Sequence, residues 1–190
     1  MTQGLPHLDK GKRQFTTQSK TQTAEIHRMI RVNQAGEFGA KRIYEGQLSV
    51  LGNTPETPIL QHMLDQELDH LKQFDAMMIS HRVRPTALTP IWRAAGFALG
   101  AATARISKES AMACTAAVEE VIDQHYASQE QKLGTEQPEL KQLISKCRQE
   151  EREHKELSLE HGAKQAPAYP LLHRSIKAAT RVAIWLSSRI

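Results

Sequence analysis

The chain has 190 residues, 25 Lys and Arg against 21 Asp and Glu, 39% hydrophobic residues, only 5% aromatic ones, and two cysteines. This length suits one domain with a sizeable core, and the wealth of Ala, Leu, Glu, Gln and Lys favours helices. A disulfide scaffold is excluded, so Cys114 and Cys147 are read as reduced and structural; no apolar run of about 18 to 20 residues exists to span a bilayer.

Residues 1–23 are polar and without apolar period, and are expected to form a disordered arm before a folded unit over 24–190. A first helix should run from about Ala24 to Leu51 and stop at Gly52-Asn53. Its stripe of Ile26, Ile30, Ala40, Tyr44, Leu48 and Leu51 contains one carboxylate, Glu37. Gly36, Gly39 and Gly46 are poor helix formers. They either let another helix approach or leave space beside Glu37, and the sequence does not separate the two.

Asn53 to Pro58 reads as a turn with a Thr cap and a proline at the first helical position. The second helix, Pro58 to about Ser80, has a stripe of Leu60, Met63, Leu64, Leu71, Phe74 and Met78. Glu67 and His70 fall inside it, roughly 60° apart around the axis. Asp65, Gln66, Asp69, Lys72, Gln73 and Asp75 are expected to face solvent. After a loop broken by Pro85 and Pro90, Ile91 to Gly100 reads as a short apolar helix within a segment of about 88–106. It is either a buried connector or a membrane-facing element with Trp92 at the interface.

A further helix, about Ser107 to Leu133, carries Glu119 among Met112, Thr115, Ile122 and Tyr126. Glu120 points about 100° away and is not counted with it. His125 and Tyr126, two turns along roughly the same face, are read as donors to metal ligands, as pocket lining or as packed core. The next helix, Pro138 to about His161, places Glu151 and His154 among Leu140, Leu143, Ile144, Cys147 and Leu157. Glu150, Glu153 and Glu156 are expected to face outward, and His161 lies too far along the axis to join the set. The last helix, about 171–190, combines a stripe of Leu172, Ile176, Ala179, Ala183, Leu186 and Ile190 with Arg174, Lys177, Arg181, Arg189 and Trp185. It suits the headgroup region of an anionic membrane, or it packs back on the bundle with a basic outer face.

The chain is thus a doubled unit. A long helix with one inward Glu precedes a helix with Glu-x-x-His, at separations of 30 (67 − 37) and 32 (151 − 119). Four carboxylates in apolar stripes cost several kcal/mol or more unless compensated, and two divalent cations balance them. This is the ligand grammar of the all-α, ferritin-like four-helix dimetal bundle. With those glutamates neutralised, the formal charge of +4 becomes +8 (25 − 17), and the acid-free stretches 76–108 and 162–190 carry much of the excess. An anionic membrane surface is the expected partner. Interleaving of the basic residues with Leu, Ile and Trp speaks against nucleic acid.

Asn33-Gln34-Ala35-Gly36-Glu37-Phe38-Gly39-Ala40, Asp65 to Leu71, Gly96-Phe97-Ala98-Leu99-Gly100, Ala113 to Glu120 and Ala166-Pro167-Ala168-Tyr169 closely resemble the demethoxyubiquinone hydroxylases of ubiquinone biosynthesis. The likeness runs from about residue 24 to the end. It implies two Fe ions held by Glu37, Glu67, His70, Glu119, Glu151 and His154, with Glu67 and Glu151 as bridges, and it matches His125 to a family histidine near the metal. It further implies O2-dependent hydroxylation of a polyprenyl quinol or quinone ring. The location implied is peripheral, on the cytoplasmic face of a bacterial inner membrane or the matrix face of the mitochondrial one. Protein partners in the same biosynthesis and a homo-oligomer stay open. With no G-x-G-x-x-G unit, the electrons are expected from the quinol or a reductase. The alternatives are a ferritin-like di-iron peroxidase or iron-storage protein, and a metal-free helical membrane-binding module.

Overall fold

The structure, a computed structural model, describes residues 10–134 and 137–190, with side chains from Lys20 onward. Six α-helices follow one another: α1 (Lys10–Leu51), α2 (Thr57–Ser80), α3 (Thr89–Ile106), α4 (Lys108–Lys132), α5 (Pro138–Glu160) and α6 (Tyr169–Ser187). α1 packs on α2, α4 on α5, and contacts of α1 with α4 and of α2 with α5 close a four-helix bundle. α3 lies along α1, and α6 lies mainly along α4. α4 is buried on nearly every side from Ser110 to Ile122 and is the central rod.

The first helix begins at Lys10 rather than near Ala24, so 10–23 of the expected arm is helical; residues 1–9 lie outside the described residues. Adding polar residues such as Lys20 and Gln22 to a helix already nucleated by packed residues costs little, which apolar periodicity does not reveal. Thr57 is not the cap of α2. Glu56 occupies that position, while the Thr57 hydroxyl donates to the carbonyl of Leu51 and ties the turn back to α1. At α4 the Ser107 hydroxyl accepts from the Ser110 amide. α6 spans Tyr169–Ser187, starting and ending slightly earlier than expected.

The glycines separate into two kinds. A Cβ on Gly46 would lie 2.2 Å from the carbonyl oxygen of Phe97, and one on Gly100 would lie 2.0 Å from that of Ile43. α1 and α3 therefore touch backbone to backbone. Gly36 and Gly39 have no atom within 4 Å of such a Cβ. Gly100→Ala should destabilise the fold by about 1–3 kcal/mol or more, because two main chains must part. Gly39→Ala should be neutral or stabilising by up to about 1 kcal/mol through helix propensity. Thermal melts of the two variants check the opposite signs.

Candidate metal centre

Glu37, Glu67, His70, Glu119, Glu151 and His154 converge from α1, α2, α4 and α5, all but fully buried. His70 Nδ1 lies 3.3 Å from Glu37 Oε2, 3.9 Å from Glu67 Oε2 and 3.4 Å from Glu151 Oε1. His154 Nδ1 lies 3.3 Å from Glu67 Oε1 and 3.4 Å from Glu151 Oε2. Two four-residue groups able to hold a cation result, Glu37, Glu67, His70 and Glu151, then Glu67, Glu119, Glu151 and His154, and a smaller one joins Cys147 to Glu37 and His70. Glu67 and Glu151 belong to both.

The donor atoms test whether metal fits. Both oxygens of Glu67 and of Glu151, Oε2 of Glu37 and of Glu119, and Nδ1 of each histidine are buried without a hydrogen-bond partner. Unsatisfied buried polar groups are rare because each carries its full desolvation cost. Eight such atoms facing one another form a cradle for cations. The remaining oxygens of the single glutamates are held: Tyr44 donates to Glu119 Oε1 at 2.8 Å, and Tyr126 donates to Glu37 Oε1.

The electrostatics agree. Burial, then the charges of neighbouring carboxylates, hold Glu67 and Glu119 well above the usual carboxylate range. Burial also pushes Glu151 up, but the His154 and His70 imidazoles, each 3.4 Å away, outweigh it and leave it low. Burial and the charges of Glu119 and Glu37 respectively push the Tyr44 and Tyr126 phenols up, so both remain O–H donors. Cys114 and Cys147 are free and buried, their thiols pushed up to about 12 by burial.

Of the places open to His125, the structure gives it the pocket lining. Its Nε2 meets the Gln129 side chain, and burial pushes it down to about 4, so it stays neutral in the wall of a cavity. Tyr126 is the donor of that pair. Gln66 and Glu150, expected to face solvent, turn inward: Gln66 Oε1 lies 2.9 Å from His154 Nε2, and Glu150 bonds His70 Nε2. Glu120 does face away, pairing with Lys177 and His173 on α6. His161 is exposed.

Apolar periodicity marks Tyr44 as core without its hydroxyl contact and does not mark the two buried glutamines, yet the doubled unit encodes all three. Glu37, Tyr44 and Gln47 recur as Glu119, Tyr126 and Gln129 at one offset (119 − 37 = 126 − 44 = 129 − 47 = 82). Gln47 donates to Thr115 at 3.1 Å, and Gln129 exchanges two bonds of 2.8 Å with Asn33, at the positions four residues before each single Glu.

Beside the cluster lies a cavity of about 180 Å³ between α1, α4, α3 and α6. Gly36, Gly39, Val118, Ile122 and Tyr126 line it, as do Trp92, Leu99, Ala183 and Ile184. The open space at Gly36 and Gly39 is thus space next to Glu37. Trp92 Nε1 donates to Ser187 Oγ at 2.9 Å and joins the two outer helices. Of the exposed large hydrophobic residues described, Ile91 and Ile106 are on α3, Leu171, Val182 and Trp185 on α6, and Ile190 just beyond it. Only Leu68 and Ile79 lie elsewhere. No described helix is long and apolar enough to cross a membrane.

Four packed helices that meet around buried glutamates and two Glu-x-x-His histidines define a ferritin-like bundle of the kind that holds a pair of metal ions. The chain belongs to the Ubiquinone biosynthesis protein COQ7 family, whose model matches residues 24–187. It is 54% identical over 171 residues to the human mitochondrial NADPH-dependent 3-demethoxyubiquinone 3-hydroxylase, covering 88% of this chain and 79% of that one. Over 168 residues it is 51% identical to the 3-demethoxyubiquinol 3-hydroxylase of Rhodospirillum rubrum, with the same coverage. The mitochondrial 5-demethoxyubiquinone hydroxylase of Saccharomyces cerevisiae is 44% identical over 189 residues, covering 90% of this chain and 81% of its own.

Proposed function

We propose that Glu37, Glu67, His70, Glu119, Glu151 and His154 hold two iron ions, and that the cavity beside them receives a polyprenyl quinol whose ring lacks one hydroxyl. The chain is a hydroxylase of ubiquinone biosynthesis. O2, two electrons and two protons convert a ring C–H to C–OH and release one water. The observation that carries the metal reading is the set of eight unpartnered donor atoms. Bound iron supplies the reduction of O2, which these side chains cannot perform.

The protein's own part is geometric. Glu67 and Glu151, with both oxygens free, suit bridging positions, and Glu37 and Glu119 suit terminal ones. Tyr44 and Tyr126 fix the terminal carboxylates, and the apolar cavity orients a ring while excluding water. Tyr126 lines that cavity and touches Glu37, so it stands where a proton can pass between substrate and cluster. The name of the human relative makes NADPH its reductant; for this chain we propose electrons delivered from outside the bundle, by the quinol, a reductase or a pyridine nucleotide. Peroxidase and iron-storage readings share the ligands, but an apolar cavity for a ring favours the hydroxylase.

Single turnover of the reduced, iron-loaded chain with a short-tailed demethoxyquinol and oxygen-18 gas tests this. Label is expected in the new hydroxyl. A hydroxyl derived from water, or O2 consumed with no hydroxylated product, overturns it.

The outer helices are proposed to lie on an anionic membrane, on the cytoplasmic face of a bacterial inner membrane or the matrix face of a mitochondrial one. The exposed apolar residues of α3 and α6, with exposed Arg93, Arg105, Arg174, Arg181 and Arg189 around them, support it. Ile176 packs into the core, so loss of the whole helix would damage the bundle. Val182→Ser with Trp185→Ser spares the core. This pair should weaken binding to phosphatidylglycerol vesicles at least about tenfold, given about 1.5–3 kcal/mol per buried large side chain; unchanged co-sedimentation would count against the surface.

A further inference from the structure

The cluster's internal symmetry breaks at one histidine. In each half, the residue before the Glu of Glu-x-x-His reaches across to the histidine of the other half. From α2 this is Gln66, whose Oε1 lies 2.9 Å from His154 Nε2. From α5 it is Glu150, whose carboxylate bonds His70 Nε2. The positions correspond (150 − 66 = 151 − 67 = 84). One histidine leans on a neutral amide and its counterpart on an anion.

Glu150 is not spent on a surface ion pair. No Lys or Arg nitrogen of the described residues lies within 4.0 Å of it; its neighbour Lys146 pairs with Asp69. Its charge therefore acts on the imidazole. A second difference falls on the same side: Met63, whose sulfur lies 3.7 Å from the Tyr44 hydroxyl oxygen, corresponds to Cys147, which lies with His70 and Glu37.

A histidine that gives its outer N–H to a carboxylate becomes a stronger donor through its other nitrogen than one that gives it to an amide, because the developing positive charge on the ring is stabilised. We infer that Glu150 makes the two metal positions unequal. The position formed with Glu37 and His70 binds a divalent ion more tightly, and holds an oxidised ion at a lower potential, than the one formed with Glu119 and His154. The inference rests on the two-metal reading above and adds a direction to it. Glu150 is a positioning residue that acts through His70, and Gln66 is its neutral counterpart.

Cobalt(II) titration of the metal-free full chain, followed by absorbance, tests it. Wild type should fill in two steps about 10–100-fold apart in affinity, the range by which outer partners of ligating histidines act. Glu150→Gln should merge the steps, and Glu150→Asp should restore them. Gln66→Glu alone should also merge them by raising the weaker position, which keeps the idea exposed if Glu150→Gln folds poorly. The Mössbauer spectrum of the di-ferrous chain gives an independent reading: two quadrupole doublets in wild type, converging in Glu150→Gln. Equal steps in wild type, or equal weakening of both positions by Glu150→Gln, overturn the inequality and leave the two-metal reading standing. Binding of fewer than two ions by wild type overturns both.

Discussion

Glu119→Ala and His154→Ala should each abolish hydroxylation while leaving the chain helical. Each removes a donor that nothing nearby can replace: Glu119 is the carboxylate that α4 gives to the cluster, and His154 supplies the imidazole nitrogen 3.3 Å from Glu67 Oε1. Partners one layer further out cost about 10–100-fold when removed, so loss of a ligand should exceed about 100-fold in turnover. The fold should tolerate Glu119→Ala because, without metal, the change takes a carboxylate out of a like-charged group whose members push one another's proton affinity upward. It does leave the Tyr44 hydroxyl without its acceptor, at a cost of about 1–3 kcal/mol. Far-UV circular dichroism and single-turnover product formation check both halves of this expectation. Either variant retaining more than a tenth of wild-type turnover would sink the ligand assignment.

Removing the metal should lower the melting temperature by about 10 °C or more near pH 8, and by much less near pH 5. The sign follows from the direction of the shifts. Burial holds Glu67 and Glu119 well above the ordinary carboxylate range in the metal-free fold. Such groups give stability that is fully present below about pH 4.5 and is lost as pH rises through the raised folded value. The metal-free chain should therefore weaken with rising pH. Cations reverse the trend, since they compete with protons for the same oxygens and win more completely as pH rises. A gain of about 4 kcal/mol corresponds to roughly 10 °C for a chain of this size. Calorimetry of loaded and chelated protein across that range is the measurement, and superimposable melts at pH 8 would contradict the cradle.

Most of the cluster was legible because a ligand inside an apolar stripe breaks a pattern that one helix carries alone. Glu37 among Ile30, Ala40 and Tyr44, or His154 near Cys147 and Leu157, stands out without a partner helix. What escaped depends on partners from another helix. Helical angle puts Glu150 about 100° from Glu151, and the angle is right; the carboxylate still reaches His70 because α2 lies within a side chain's length. Gln66 fails in the same way. For His125 register alone left three places open, and it is Gln129 and the neighbouring helices that put its ring in the cavity wall. The two roles of the glycines were undecidable until α3 lay across α1 at Gly46 and Gly100 and left Gly36 and Gly39 open. The early start of α1 leaves no apolar period in the sequence.

The tyrosine contacts also set a limit on chelation. Tyr44 and Tyr126 each donate to one oxygen of a single glutamate, so Glu119 and Glu37 would most readily offer a cation the other oxygen. Eight unpartnered atoms would be a sparse complement for two divalent cations, which commonly take about six neighbours each. A pair of ions held by these residues would therefore have room beside it for a small gas molecule.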